Sequence, residues 1–272
     1  MKKNKNSNFG FKRLHLFEFE DQAWFPEVIR SGGTDYLRFL FTKTKMYQPT
    51  VALIKETLDG SGENRIVDLC SGGGGYMEQI AKELNQPDKN KYTVLLTDKF
   101  PNVAAFEHIK KNNEAPIEYC PSPVDVLDVP NNLKGFRVLF SAIHHFRPQQ
   151  VKQILQQVVN AKSPIGIFDG GEKNIGIMLG ILVLHPLALF VATPFLKPFK
   201  FSRLFFTYLI PLIPLYSVWD GLVSIIRLYR PHELYKIANS IPNHNYSWKY
   251  GKVKNSLGIH ICYLIGVPLK LE

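Results

Sequence analysis

Four consecutive glycines directly after a short apolar segment constrain the fold of this chain more than any other feature. Residues 65–70 have the composition of a buried β-strand, and Ser71 and glycines 72–75 follow them. Residues 76–84 then show the spacing of a helix. Because glycine lets the backbone turn sharply and approach a ligand closely, this strand–loop–helix unit predicts a nucleotide-type site at one end of a sheet.

The chain repeats this alternation of short apolar strands and helices beyond the loop. Further strands are predicted at 92–97, 117–120, 136–140, 165–169, 246–253 and 258–267, and further helices at 103–111, 149–159 and 231–240. Strands that alternate with helices at this spacing are typical of a parallel sheet with helices on both faces. We therefore predict an α/β fold with a mostly parallel sheet of about seven strands.

Four segments are predicted along the 272 residues. Residues 1–62 form a helical N-terminal cap, with helices between 14 and 60 that break at Gly32-Gly33. The ligand-binding core covers 63–172, and an apolar helical insertion covers 173–229. Residues 230–272 supply a helix and two strands that complete the core.

The residues around the glycine loop discriminate among nucleotide ligands. A Gly-x-Gly-x-x-Gly dinucleotide site would align Gly72 and Gly74 but meets Met77 at the third glycine, which weakens an NAD-type oxidoreductase. No lysine of a phosphate-binding P-loop follows the glycines. Asp68 lies in the strand beneath the loop. A carboxylate there suits a cation with a free amino group, such as S-adenosylmethionine (SAM), better than it suits a pyrophosphate.

The loop and the segments after it resemble the motifs of class I SAM-dependent methyltransferases, in a bacterial branch with a hydrophobic insertion. Residues 68–74 (Asp-Leu-Cys-Ser-Gly-Gly-Gly) resemble the family's first motif, with Cys70 in place of its first glycine. The resemblance implies a Rossmann-like sheet and SAM as the cofactor. It also implies these cofactor contacts: Asp68, Cys70, Ser71, Gly72 and Gly74 at the loop, Asp98 at the ribose, Asp125 and Val126 at the adenine, and Ser141 near the transferred methyl group.

His144 and His145 follow the fourth predicted strand, where the resembling family lines its methyl-transfer site. A neutral imidazole accepts a proton near pH 7, so either histidine is a candidate base for an acceptor that loses a proton. Alternatively, the pair packs beneath the adenosine or orders the loop. The resemblance implies a methyltransferase, with O-, N- or C-methylation left open. The alternative function is a catalytically silent SAM-binding protein that acts as a membrane-associated partner or sensor.

Residues 175–226 interrupt the alternation with two apolar runs. Residues 175–196 and 204–219 contain no Asp, Glu, Lys or Arg. Three interpretations stay open: a transmembrane hairpin, for which about 20 apolar residues per span suffice; a buried lid over an apolar pocket; and a monotopic element with basic residues at the headgroups. Internal prolines and the lysines between the runs count against the hairpin. The lid and the monotopic element both imply a small lipophilic acceptor.

Four residues outside the core are candidate acceptor contacts. Trp24, Tyr36 and Tyr47 either close over the substrate or belong to the hydrophobic core. Asp220 either faces the acceptor or pairs with Arg227, because burial of either charge alone would be costly.

Composition excludes several other classes. The net charge is +10, but there is no arginine-rich tract, no basic region interleaved with aromatics and no Asn-Pro-Pro-Tyr motif, so we expect no nucleic-acid partner. The three cysteines lack the spacing of a disulfide framework or a zinc site, so we expect reduced thiols and no metal. An apolar signal-peptide core is absent from the first residues, which favours a cytoplasmic protein, free or at the inner face of the membrane. The sequence makes no prediction of oligomeric state.

Overall fold

A seven-stranded sheet organises the chain in a computed structural model, which describes residues 13–86, 91–242 and 245–269. The strands are β1 (Arg65–Leu69), β2 (Thr93–Thr97), β3 (Ile117–Tyr119), β4 (Phe136–Phe140), β5 (Ile165–Gly170), β6 (Tyr246–Lys254) and β7 (His260–Pro268). Their order is β3-β2-β1-β4-β5-β7-β6. The first five strands are parallel, and β7 inserts antiparallel between β5 and β6. This confirms the predicted Rossmann-like, mostly parallel sheet of about seven strands.

Nine α-helices lie within the described residues. They are α1 (Glu27–Lys43), α2 (Val51–Ser61), α3 (Met77–Leu84), α4 (Val103–Asn112), α5 (Pro148–Asn160), α6 (Ile175–Ala192), α7 (Phe201–Leu204), α8 (Leu212–Arg227) and α9 (Pro231–Asn239). A π-helical turn, Phe205–Leu209, continues α7. The bounds of the core strands and helices agree closely with the predicted ones, because each begins and ends where the apolar period does.

Two hydrophobic layers cover the faces of the sheet. Successive strand residues point to opposite faces, so Val67 packs in the layer that contains α5 and α9, and Ile66 packs in the layer that contains α2, α3 and α4. The central strands are buried on both sides. Their apolar runs therefore carry no alternation, as expected for parallel strands between helices.

The N-terminal segment differs from the predicted pair of helices. Residues 13–26, named the strap below, contain turns but no helix, and α1 runs through Gly32 and Gly33 without a break. A Cβ atom on Gly33 would lie 1.6 Å from the Tyr216 hydroxyl oxygen, and one on Gly32 would lie 2.4 Å from Ile213 Cδ1. The two glycines therefore allow α8 to pack closely on α1, and the predicted helix break is wrong.

The apolar insertion forms a helical hairpin outside the sheet. The helices α6 and α8 run antiparallel: a Cβ on Gly221 would lie 3.1 Å from Ile181, and His185 Nε2 lies 2.6 Å from Ser217 Oγ. Segment Ile175–Phe195 is long and apolar enough to cross a membrane, judged by length and composition. The bent pair formed by Phe201–Leu209 and Leu212–Arg227 passes the same test as one broken span, with an angle of 79°.

Candidate active site

A cavity of about 520 Å³ opens at the carboxyl ends of the parallel strands. Its lining includes Cys70 and Gly72 after β1, Asp98 after β2, and Ser141 after β4. The order of the strands reverses between β1 and β4, and loops diverge at this point of an open α/β sheet to leave a crevice. The strap closes the other side of the cavity. The fold thus brings together residues that are far apart in sequence.

The glycine loop has the left-handed backbone that its sequence predicts. Gly72, Gly74 and Gly75 have φ angles of 56°, 95° and 50°. Cys70 also has a positive φ, 63°, which costs a residue with a side chain roughly 1–2 kcal/mol. A Cβ on Gly73 would lie 2.6 Å from the backbone oxygen of Thr34 in α1. The loop therefore lies tightly against α1, and Gly73 leaves no room for a side chain.

Asp68 lies buried beneath this loop, with 2% of its surface exposed. Its Oδ1 accepts no hydrogen bond from any residue of 13–86, 91–242 or 245–269. Burial raises the pKa of Asp68 to about 8, the Ser71 side chain opposes the rise, and the charge of Asp98 adds to it. An unsatisfied buried carboxyl is costly unless a partner completes it. Asp68 is absent from the described lining of the cavity. A hydrogen-bond donor that reaches Oδ1, such as the ammonium group of a cationic ligand, would supply this partner and favour the ionised form.

Ser71 and Gly74 shape the loop and are absent from the described lining of the cavity. Ser71 Oγ donates to the Asp68 backbone oxygen at 3.0 Å and accepts from the Thr97 N–H at 3.1 Å. These bonds join the loop to the end of β2. The resemblance implies that Ser71 and Gly74 contact the cofactor, but the structure places both residues behind those that line the cavity.

Asp98 and Asp125 line the cavity along the ends of β2 and β3. Asp98 accepts hydrogen bonds from the N–H groups of Gly72 and Phe100, each at 2.7 Å. Burial raises the pKa of Asp98, and these two N–H donors oppose the rise. Asp125 lies 2.8 Å from Lys99 Nζ and accepts from the Leu127 N–H at 2.9 Å. Burial acts to raise the pKa of Asp125, but Lys99 and this N–H lower it overall.

Val126 and Ser141 complete the group of predicted cofactor residues on the cavity. Val126 is buried immediately after Asp125. Ser141 has a φ of 46°, donates its N–H to the Phe168 oxygen at 2.9 Å and pairs its hydroxyl with that of Tyr47. The turn after β4 is thereby fixed to β5 and to the segment before α2.

His145 lines the cavity and carries a charge that the sequence does not reveal. Its Nδ1 lies 2.7 Å from Asp21 Oδ1 and 3.2 Å from Glu18 Oε2. Burial alone would lower the pKa of His145, but the negative charges of Glu18, Asp21 and Glu20 raise it to about 10. The ring is therefore an imidazolium at neutral pH. This charge state argues against His145 as the base.

His144 lies behind His145 and is absent from the described lining of the cavity. It is buried, its ring centroid is 4.4 Å from that of His145, and its Nδ1 lies 3.0 Å from Asp169 Oδ1. The carboxylate of Asp169 fixes the orientation of the ring. This arrangement corresponds to the packing alternative for the histidine pair.

Acidic residues of the strap are the site residues that sequence reasoning missed. Arg227 Nη1 lies 3.0 Å from both Glu18 Oε1 and Asp21 Oδ2, and Arg227 Nε donates to the His144 oxygen at 3.1 Å. Glu20 lines the cavity, with its Oε1 3.6 Å from His145 Nε2. The available signal was the alternation of Phe and acidic residues over 17–21, which is incompatible with the helix predicted there.

The cavity places an ionisable carboxyl at Glu20. Burial raises the pKa of Glu20 to about 8, His145 lowers it, and Asp220, Glu18 and Asp21 raise it further. Glu20 therefore changes charge near neutral pH, unlike His145. A group with such a pKa can take a proton from a hydroxyl or amine in the cavity.

The four predicted acceptor contacts are absent from the described lining of this cavity. Tyr47 is fully buried against Phe140, with ring centroids 4.9 Å apart. Tyr36 packs edge-on against His185 of α6 at 5.0 Å. Trp24 is 68% exposed on the strap. Tyr36 and Tyr47 are thus core residues, the alternative that the sequence left open.

Asp220 holds the strap and does not pair with Arg227. Its two carboxylate oxygens accept the N–H groups of Phe19, at 2.8 Å, and Glu20, at 3.0 Å. Among the residues that line the cavity within the described chain, none belongs to 175–226. Residues 175–226 therefore support the strap from behind, and Arg227 is the residue of the 173–229 insertion in the described lining. The lid stays a prediction.

One side-chain group could also ligate a metal ion. Glu18, His144 and His145 each offer a ligand atom, and these atoms lie within 4.8 Å of one another. Arg227 already lies 3.0 Å from Glu18, and His145 is paired with Asp21. The ion pairs account for the cluster without a metal. The expectation of no metal stays a prediction.

Comparisons with known proteins find similarity to solved structures alone. No family profile and no curated sequence matches the chain. An O-methyltransferase family protein from Burkholderia thailandensis aligns at 13% identity over 86% of this chain and 60% of its own, with a TM-score of 0.47. Human N-acetylserotonin methyltransferase, solved with SAM, aligns at 12% identity over 89% and 58%, with a TM-score of 0.48.

A smaller protein aligns over nearly its whole length. The plantazolicin methyltransferase BpumL, solved with a substrate analogue and S-adenosylhomocysteine (SAH), aligns at 12% identity over 90% of this chain and 97% of its own, with a TM-score of 0.49. By contrast, the chain spans about 60% of the length of the first two structures. At these identities the alignments concern the course of the backbone.

Proposed function

We propose that this chain is a SAM-dependent methyltransferase whose acceptor is a small lipophilic molecule. The observation that carries the proposal is the convergence on one cavity of the glycine loop, Asp98 and Asp125, above the buried Asp68, whose Oδ1 has no hydrogen-bond partner among the described residues. These groups follow three successive parallel strands. Their acidic character favours a cation over the pyrophosphate of a dinucleotide.

Each cofactor contact is assigned to a residue of this chain. The carboxylate of Asp98 has acceptor capacity left for ribose hydroxyls after its two bonds to N–H groups. Asp125 and Val126 lie where the resemblance puts the adenine. Asp68 lies buried beneath the glycine loop, where a bound cation would favour the ionised form of its carboxyl. When bound, SAM supplies an activated methyl group, so the main task of the protein is to align the acceptor.

The acceptor side of the cavity combines apolar and ionisable groups. Leu16, Phe17 and Phe146 provide apolar contact area, and Glu20 and His145 provide the polar end. Glu20 is the residue in position to accept a proton from an acceptor hydroxyl or amine. The imidazolium of His145 stabilises the ionised form of Glu20.

Calorimetric titration of the purified full chain with SAM, SAH and NAD tests the cofactor. We expect saturable binding of SAM and SAH and no heat with NAD. An Asp98→Asn variant should bind SAM more weakly, and Asp128→Asn, an exposed acid near the same edge, should match the wild type. Absence of SAM binding even at millimolar ligand would refute the proposal.

The second candidate is a SAM-binding protein without catalysis, and the states of the histidines favour it. His144 is buried and His145 is protonated, so neither predicted base is available. SAH release from SAM in the presence of a lipid extract separates the two functions. Tight SAM binding with no SAH above background for any acceptor class would favour the silent protein.

A further inference from the structure

The outer side of the insertion is an apolar surface that the proposed chemistry does not use. It is named the insertion surface here and comprises the exposed side chains of α6, the α7 turn and the start of α8. The 18 residues of α6 contain no charged side chain, and 11% of its most apolar window is buried. Leu184 and Val191 are 66% and 72% exposed. Apolar patches of this extent on a soluble domain mark an interaction site.

The inner side of the same hairpin packs against the rest of the chain. Along α6, Ile181 and His185 contact α8, and His185 also contacts Tyr36 of α1. At the end of the hairpin, the buried guanidinium of Arg203 pairs with the Asp35 carboxylate, which Lys200 Nζ approaches at 3.2 Å. A spanning orientation would have to carry this charged group across the hydrocarbon or break its pairing with Asp35 of α1, and both are unfavourable. The hairpin is thus built to lie along an interface with one side on the protein.

The charges of the insertion fit an anionic surface. Residues 175–226 contain one acid, Asp220, and it is buried. Their basic residues are Lys197, Lys200 and Arg203, of which Lys197 is exposed. The whole chain carries a net charge of +10. An apolar surface that carries an exposed lysine and no exposed acid within 175–226 is complementary to the headgroup region of anionic lipids.

Aromatic contacts lead from α8 to the cavity. Trp219 of α8 donates its indole N–H to the Phe17 oxygen at 3.1 Å, and the two rings lie 5.4 Å apart. Phe17 is exposed and also lines the cavity, as does its neighbour Leu16. These side chains give a lipophilic molecule apolar contacts between α8 and the cavity.

We infer that the insertion surface docks in the headgroup region of an anionic bilayer, with α6 in the plane of the membrane, and that the acceptor enters the cavity from that bilayer. The docking rests on the surface itself, whereas the entry of the acceptor rests on the proposed function.

Vesicle flotation of the full chain tests the docking. The wild type should float with phosphatidylcholine–phosphatidylglycerol vesicles and much less with phosphatidylcholine alone. A Leu184→Glu/Val191→Glu variant should lose binding roughly tenfold or more per side chain, because burial of each supplies part of the affinity. Leu257→Glu, at an exposed leucine in the β6–β7 turn, is the matched control and should float like the wild type.

Three outcomes overturn the inference. The wild type could fail to float with either vesicle, or the double variant could float equally well. Light scattering could instead reveal a dimer in the wild type that the double variant abolishes, which would assign the surface to a second copy of this chain. Calorimetry with SAM on the same samples checks that the variants are folded, and a failure of the wild type to bind SAM would affect the proposed function without affecting the docking.

Discussion

The two walls of the cavity are built by different means. The wall that we assign to the cofactor, the cofactor wall, consists of loops at the ends of neighbouring parallel strands, and backbone hydrogen bonds such as Ser71 N–H to the Thr97 oxygen hold it in place. The acceptor wall is the strap, which contains no helix or strand and is held by side chains of α8. Asp220 binds Phe19, 201 positions earlier in the chain. The sheet therefore defines the cofactor wall directly, whereas the acceptor wall depends on the insertion.

Arg227→Met should have the largest effect and should damage one wall alone. It removes the partner of buried Glu18 and of Asp21, together with a donor to the His144 oxygen. Loss of one member of a buried ion pair costs about 3–5 kcal/mol, so we expect a corresponding fall in the free energy of unfolding. Urea denaturation followed by tryptophan fluorescence measures it.

Arg147→Met is the matched control, because Arg147 is exposed at the rim of the same cavity. It should unfold at nearly the wild-type urea concentration. SAM affinity of folded Arg227→Met should stay near the wild-type value. A loss of SAM affinity as large as the loss of stability would show that the two walls are not independent.

Glu20→Gln tests the chemistry of the acceptor wall. Glu20 is protonated below its raised pKa of about 8, so a base function predicts turnover that increases with pH and levels off above that value. The glutamine variant should lose roughly 100-fold or more in kcat, together with this pH dependence. SAH release with a panel of lipophilic phenols and amines is the assay. Glu27→Gln, an exposed acid on the same cavity, is the control. An unchanged pH profile in Glu20→Gln would exclude Glu20 as the base.

Asp68→Asn tests the cofactor wall. Asp68 holds its proton near neutral pH, and a cation favours the ionised form, so SAM should bind more tightly as the pH rises towards about 8. The variant should lose this pH dependence and bind SAM roughly 10- to 100-fold more weakly, from the ~1.5–3 kcal/mol of a hydrogen bond to a charged group. Calorimetry across that pH range measures both effects.

The stability of the same variant should change in the opposite direction. The pKa of Asp68 is higher in the folded chain than its usual 3.8, so its burial disfavours the folded state increasingly as the pH rises above 3.8. The amide side chain of the variant has no charge to bury. We therefore expect Asp68→Asn without SAM to be more stable than the wild type at neutral pH. Lower stability would show that the Asp68 carboxylate has a partner in the free protein.

The cofactor wall was predictable because each of its residues lies in a local pattern. The strand of residues 65–69, the glycines and Asp98 are recognisable from composition and from their place at a strand end. The carboxyl ends of parallel strands lie at one edge of the sheet, so residues that follow different strands in the sequence come together in one site. The role of Ser71 behind the loop depends on hydrogen bonds to β2 and was not visible.

The acceptor wall was not predictable because its contacts are non-local. Glu18, Glu20 and Asp21 look like an ordinary charged surface until Arg227 and His145 are placed beside them. The same ion pairs raise the pKa of His145. The sequence His144-His145 alone therefore could not show whether His145 is free to act as a base. In the sequence, Gly32-Gly33 looks like the end of a helix. The structure shows that the glycines make room for Tyr216 of α8, and this contact is not visible in the local sequence.

Trp24→Ala should have the smallest effect and would separate the strap residues that face the cavity from those that face away. Trp24 is 68% exposed and contacts Phe19 and Phe25 edge-on, with ring centroids more than 6 Å away. We expect the free energy of unfolding to change by no more than about 0.5 kcal/mol, as for surface positions in general. The KM for an acceptor should not change. A clear rise in KM would mean that the strap reorients when the acceptor binds and that Trp24 then closes over it, which would restore the role that the sequence suggested.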